Sequence, residues 1–142
     1  MEKAKNMTTL YIDTNILIYG VEESRNLYGK DLSNSATRLF AEVIGCKYRI
    51  ILSSWTMTEL LNKRRLEDSK MLFTLLQKKI IKVFHTEEEL LKAKENNPSH
   101  FQDELHGMLA LRANADYIVT RNVDDFINFI DRIKVVKPEH LL

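Results

Sequence analysis

Short runs of β-branched and aliphatic residues alternate with longer stretches of helical periodicity along the whole chain, which leaves few folds open. Thr9-Leu10-Tyr11-Ile12, Arg49-Ile50-Ile51-Leu52-Ser53, Ile80 to Phe84, Tyr117-Ile118-Val119-Thr120 and Ile133-Lys134-Val135-Val136 read as strands. Each pair is separated by helical sequence, so the strands are expected to run parallel, with helices on both faces of the sheet. The Arg49–Ser53 run is too continuously apolar for a half-exposed strand and predicts burial on both faces. No repeat, low-complexity tract or Gly/Ser linker interrupts the 142 residues, so residues 1–142 are expected to form a single α/β domain.

Helix signals fill the gaps. Ala36, Leu39, Phe40, Val43 and Ile44 make one apolar stripe within Ser33 to Cys46, with Ser33 or Ser35 as cap. Asn15 or Thr14 is a candidate cap for the short apolar segment Ile16 to Tyr19, which Gly20 is expected to end. Ser54 is the candidate cap of a helix through Glu59 to Arg65. A further helix is expected from about Glu67 to Lys79. Thr86 leads Glu87, Glu88 and Glu89 into another, with acids suited to the positive end of a helix dipole. Phe101 to Asn114 and Val123 to Ile130 complete the set, and Ser24 to Leu32 reads as a polar loop.

Composition sets limits. With 21 Lys+Arg against 20 Asp+Glu the net charge is +1, which argues against tight coating of nucleic acid but leaves room for separated patches of each sign. One cysteine, Cys46, excludes an intramolecular disulfide framework and a multi-cysteine zinc site. No apolar run is long enough to span a bilayer and no secretory leader is evident, so a cytoplasmic, non-membrane protein is expected.

The placement of the acids is more informative than their number. In a parallel sheet, ligands gather beyond the carboxyl ends of the strands. Asp13 follows the first strand, Glu59 lies early in the helix after the second, and Arg121, Asn122, Asp124 and Asp125 follow the fourth. Asp103 begins the helix that runs back from that same edge. Carboxylates brought together raise one another's pKa, and a cation relieves the repulsion. Hard oxygen donors favour Mg²⁺ or Mn²⁺, and such an ion can activate water and clamp phosphoryl oxygens. The residues therefore point to a metal-dependent phosphodiesterase site. Along the Asp103 helix, Gly107, Ala110 and Asn114 share the acid's face and are expected to let the helix approach its neighbours closely. His100 and His106 flank Asp103 but cannot readily share its face, which disfavours zinc.

Four stretches carry a family resemblance. Leu10-Tyr11-Ile12-Asp13-Thr14-Asn15, Ser53-Ser54-Trp55-Thr56-Met57-Thr58-Glu59-Leu60, Asp103 to Ala110, and Ala115 through Thr120-Arg121-Asn122-Val123-Asp124-Asp125-Phe126 resemble, in order and spacing, the motifs of the PIN-domain (PilT N-terminus-like) nucleases, which include the VapC-type toxins. The resemblance spans residues 10 to 139. It implies a three-layer α/β/α sandwich with a mostly parallel five-stranded sheet, and cleavage of single-stranded RNA with Mg²⁺ or Mn²⁺. It implies Asp13 and Asp103 as the nearest metal ligands, Glu59 beside them, and Asp125 as the fourth acid. Many relatives carry Asp where this chain has Asn122, which leaves open which of Asn122, Asp124 and Asp125 completes the site. Thr14 and Asn15 would hold Asp13 by hydrogen bonds, with Thr120 and Asn122 in similar supporting roles. Arg121, Lys63, Arg64 and Arg65 are candidate contacts to RNA phosphates. A cognate antitoxin covering the cleft and a homodimer are implied as partners.

Two other functions compete. One is a PIN-like domain that binds RNA or protein without cutting, favoured by Asn122. The other is a phospho-receiver-like signalling domain, imitated by Asp13, Thr120 and Lys137-Pro138 but lacking an acceptor Asp after the third strand, where Phe84-His85-Thr86 stands.

Overall fold

The computed structural model describes residues 7–21, 30–45 and 47–142. Five parallel strands form one sheet in the order β3-β2-β1-β4-β5. They are β1 (Thr8–Ile12), β2 (Tyr48–Ser53), β3 (Ile80–Val83), β4 (Tyr117–Val119) and β5 (Lys134–Val136). The register aligns Leu10 with Ile50 on one side and with Tyr117 on the other. Between the strands run α1 (Thr14–Val21), α2 (Lys30–Ile44), α3 (Ser54–Asn62), α4 (Leu66–Leu76), α5 (Glu87–Asn96) and α6 (Phe101–Arg112). Short 3₁₀ turns occupy Gln77–Lys79, Pro98–His100, Val123–Phe129 and Pro138–Leu141. Among the described residues no helix is long and apolar enough to cross a membrane.

The two-residue period of the strands divides the core into two layers. Leu10, Ile12, Ile50 and Leu52 point to one face and pack with Leu17, Leu39, Phe40 and Leu60 of α1, α2 and α3. Tyr11, Ile51 and Ile118 point to the other and pack with Leu105, Leu109 and Ala110 of α6 and Phe126 and Phe129 of the 3₁₀ segment. Ile50 and Ile51 are both fully buried, as the unbroken apolar run of β2 predicts. The architecture is thus the expected helix–sheet–helix sandwich. Its strand order departs from the β2-β1-β3-β4-β5 order of receiver-like doubly wound sheets, which removes the receiver reading.

Several helix boundaries differ from the sequence expectation, each for a local reason. Ser53, not Ser54, caps α3, since its hydroxyl accepts from the Thr56 N–H. Thr14 is already helical, and its hydroxyl is spent on Glu59 rather than on a cap. Gly20 lies inside α1 rather than ending it. Ser33 and Ser35 fall inside α2, which starts at Lys30; the remainder of the predicted Ser24–Leu32 loop, 24–29, lies outside the described residues. Ala36, Leu39, Phe40 and Val43 are buried, while Ile44, at the end of the helix, is 49% exposed. Thr86 forms a reciprocal cap with Glu89, each side chain taking the other's backbone N–H at 3.0 Å. Glu89 also receives Arg112 from the far end of α6, which joins α5 and α6.

The stripe of small residues on α6 serves the close approach expected of it. A Cβ placed on Gly107 would lie 2.3 Å from the ring of Phe129, itself buried. Gly107→Ala should therefore destabilise the fold by about 1–3 kcal/mol despite alanine's better helix propensity. Urea unfolding measures this; an unchanged or raised midpoint would contradict the tight α6–Phe129 packing.

Candidate active site at the carboxyl edge of the sheet

The strand order reverses direction between β1 and β4, and that switch point opens a crevice at the carboxyl edge. Asp13 and Thr120 follow these two strands immediately, and they meet. The Asp13 N–H donates to Val119 O at 3.0 Å, and the Thr120 hydroxyl donates to Asp13 Oδ2 at 2.8 Å. The Asn122 backbone N–H in turn donates to Thr120 Oγ1 at 3.1 Å. The supporting groups are thus redistributed from the sequence expectation. Thr120 holds the Asp13 carboxylate through its side chain, and Thr14 contributes a backbone hydrogen bond. The Thr14 hydroxyl goes to Glu59 Oε1, and Asn15 Oδ1 accepts from Lys63 Nζ at 3.1 Å.

Glu59 reaches the crevice from the second turn of α3 and is held by a residue with no role in the sequence reading. His106 Nε2 lies 2.8 Å from Glu59 Oε1, and His106 Nδ1 lies 2.6 Å from the Tyr11 hydroxyl. Tyr11 donates to Ser53 Oγ at 2.8 Å, and Ser53 donates to Thr56 Oγ1 at 3.2 Å. A chain of hydrogen bonds therefore runs through the core from the N-cap of α3, across β1, to α6, and back to α3 at Glu59. Nε2 faces the carboxylate oxygen and Nδ1 the tyrosine oxygen, so a doubly protonated ring can donate at both nitrogens. Burial alone would lower the His106 pKa. The facing Tyr11 oxygen, the Glu59 hydrogen bond and charge, and the Asp13 charge outweigh it and hold the ring well above its ordinary value. Burial likewise opposes ionisation of Glu59, but His106, the Thr14 hydroxyl and Lys63 prevail and keep it below its usual range.

The remaining acids repel one another. Burial pushes Asp13 up, as does the Glu59 charge; His106 and the Thr120 hydrogen bond oppose the rise. Asp103, in the first turn of α6, is raised to about 6, first by burial and then by the charges of Asp125, Asp13 and Glu59. Asp103 thus senses all three other acids. Asp124 and Asp125 are both exposed, and of the two it is Asp125 whose charge bears on Asp103; Asn122 contributes its main chain.

The donor set suits a hard divalent cation in kind, since its free groups are carboxylate oxygens under mutual repulsion. Among the described residues, no three of Asp, Glu, His and Cys are already gathered around a common point, so a cation would have to draw them in. No family model matches the chain, and no curated protein matches it. Functional inference therefore rests on geometry and charge.

The candidate phosphate-binding cations are engaged unequally. Arg121 makes a two-pronged ion pair with Glu139, its NH2 donating to Oε2 at 2.9 Å, and is not free to meet a phosphate unless that pair opens. Lys63 reaches Asn15, and Arg65 pairs with Asp68 at 3.6 Å. Arg64 is exposed and ends α3 in the left-handed region at φ 58°. His100 is exposed and far from the role of His106, which is buried.

These charges make a titration prediction. Between its ordinary 3.8 and about 6, Asp103 binds more proton in the folded than in the unfolded chain. Without a cation, this group therefore lowers stability as pH rises through that window. Carboxyl NMR should place Asp103 near 6, and Asp125→Asn should move it down. An unmoved value would remove Asp125 from the cluster.

Proposed function

We propose that this chain is a Mg²⁺- or Mn²⁺-dependent endoribonuclease acting on single-stranded RNA. The observation that carries the reading is the placing of Asp13, Glu59 and Asp103 at the topological switch point of a parallel sheet, where burial first, and then the charges of Asp125, Asp13 and Glu59, raise the Asp103 carboxyl. Four acids at one ligand-binding edge, with one buried histidine as internal countercharge, suit a site that takes a divalent cation and a phosphodiester.

In this reading Asp13, Asp103 and Asp125 hold the cation, with Glu59 beside them. The bound ion supplies Lewis-acid stabilisation of the phosphoryl oxygens and a more acidic water. Thr120 fixes the Asp13 carboxylate. His106 and Thr14 both engage Glu59 Oε1, which leaves Oε2 as the atom able to orient a water or accept its proton. Lys63, which reaches Asn15 beside Asp13, and the exposed Arg64 next to it would be the phosphate contacts. A role as the toxin of a toxin–antitoxin pair follows from the same reading, with an antitoxin covering the crevice and a homodimer as the assembly.

Purified protein should cut a fluorophore-labelled single-stranded RNA when Mn²⁺ is added and stop in EDTA. Asp13→Asn and Asp103→Asn should each lower the rate by at least about 100-fold. Undiminished cutting in EDTA, or in either variant, would refute this chemistry.

A second reading, an RNA-binding module that does not cut, is favoured by one observation. One oxygen of Glu59 already accepts from the Thr14 hydroxyl and faces His106 Nε2. Calorimetry separates the two. Micromolar Mn²⁺ binding that is lost in Asp103→Asn supports the nuclease, and RNA binding without Mn²⁺ binding supports the module.

A further inference from the structure

Beside the acids lies a cluster of rings that the phosphodiester chemistry does not use. Trp55 sits in the first turn of α3, four residues before Glu59 and so on the same helix face. Phe101 opens α6, two residues before Asp103. His85 follows β3 at the same edge of the sheet. The Trp55 ring meets His85 edge-on at 5.5 Å and Phe101 at 6.0 Å, and all three side chains are partly exposed. The arrangement is fixed by polar contacts as well as by packing. Ser54 Oγ stands 2.6 Å from His85 Nδ1 and also accepts the His85 backbone N–H at 2.8 Å. Lys94 Nζ lies 5.1 Å from the centre of the Phe101 ring, which brings a cation to the rim.

A nucleobase offers a flat π-face and apolar area to partly exposed rings, and its phosphate suits Lys94. An aliphatic peptide offers no stacking face, and an isolated phosphate offers neither face nor apolar area.

We propose that Trp55, His85 and Phe101, with Lys94 at the rim, form a base-binding subsite for single-stranded nucleic acid next to the acidic crevice. It rests on the nuclease reading for its place beside the scissile phosphate, but its binding can be tested without any cleavage.

Trp55 is the sole tryptophan of the chain, so its fluorescence reports this subsite alone. In EDTA, the full-length protein is titrated with a six-nucleotide single-stranded RNA and with an abasic oligomer of equal charge. The RNA should quench and shift the emission, and the abasic oligomer should bind at least about 5-fold more weakly, without quenching. His85→Ala and Phe101→Leu, checked for folding by circular dichroism, should each weaken RNA binding by about 5- to 150-fold. Emission unchanged at saturating RNA, equal affinity for the abasic oligomer, or unweakened binding in both variants would overturn the subsite. The two ideas fail separately. Quenching without cleavage in Mn²⁺ keeps the subsite and removes the nuclease. Cleavage with unaltered KM in both variants does the reverse.

Discussion

The buried pair between His106 and Glu59 is the interaction on which the edge of this sheet depends. It joins α6 to α3 across the core, and the hydrogen bonds from His106 to Tyr11 and on to Ser53 tie the pair to β1 and to the N-cap of the same α3. A buried charge pair is no net source of stability by itself, because desolvation offsets the attraction. Its value here is positional. Every member of the chain has a partner, so the network permits one arrangement of three elements, and removing one member would leave a buried charge or donor unmet. That arrangement brings Glu59 to the carboxyl edge, where Thr14 and Asp13 stand.

The same histidine explains how four carboxylates persist at one edge of a folded chain. Like charges in a partly buried crevice would otherwise force protons onto the acids. Glu59 escapes this because His106 neutralises it directly; Asp13 and Asp103, with less compensation, are pushed upward. The gradient assigns different tasks to similar groups. Glu59 is held toward its ionised form, while Asp13 and Asp103 are held toward their protonated forms.

Much of the fold was legible because it rests on local signals. The unbroken run Ile50-Ile51-Leu52 announced a strand buried on both faces, and Thr86 with Glu89 announced a helix start that the structure closes reciprocally. Gly107 announced a close approach, though not that Phe129 makes it. The convergence of Asp13, Glu59 and Asp103 followed from topology alone. Less was legible where side chains choose among distant partners. Thr14 and Asn15 stand next to Asp13 in sequence, yet only the fold sends the hydroxyl of the first to Glu59 and the amide of the second to Lys63, and leaves the Asp13 carboxylate to Thr120 from 107 residues away. His106 was missed because its partners, Tyr11 and Glu59, lie far away in sequence. A tyrosine inside an otherwise aliphatic strand was the available signal, since a buried hydroxyl requires a polar partner in the facing layer. Arg121 looked free because Glu139, its partner, comes from the far side of β5.

The central claim is that the acids at the β1–β4 crevice are one cation site. Anomalous diffraction from crystals soaked in Mn²⁺ tests it most directly. A manganese peak bounded by the Asp13 and Asp103 carboxylates, and absent from crystals of Asp103→Asn, is the predicted result. A crevice without manganese in well-ordered, saturated crystals, with Asp13 and Asp103 unmoved, would contradict it.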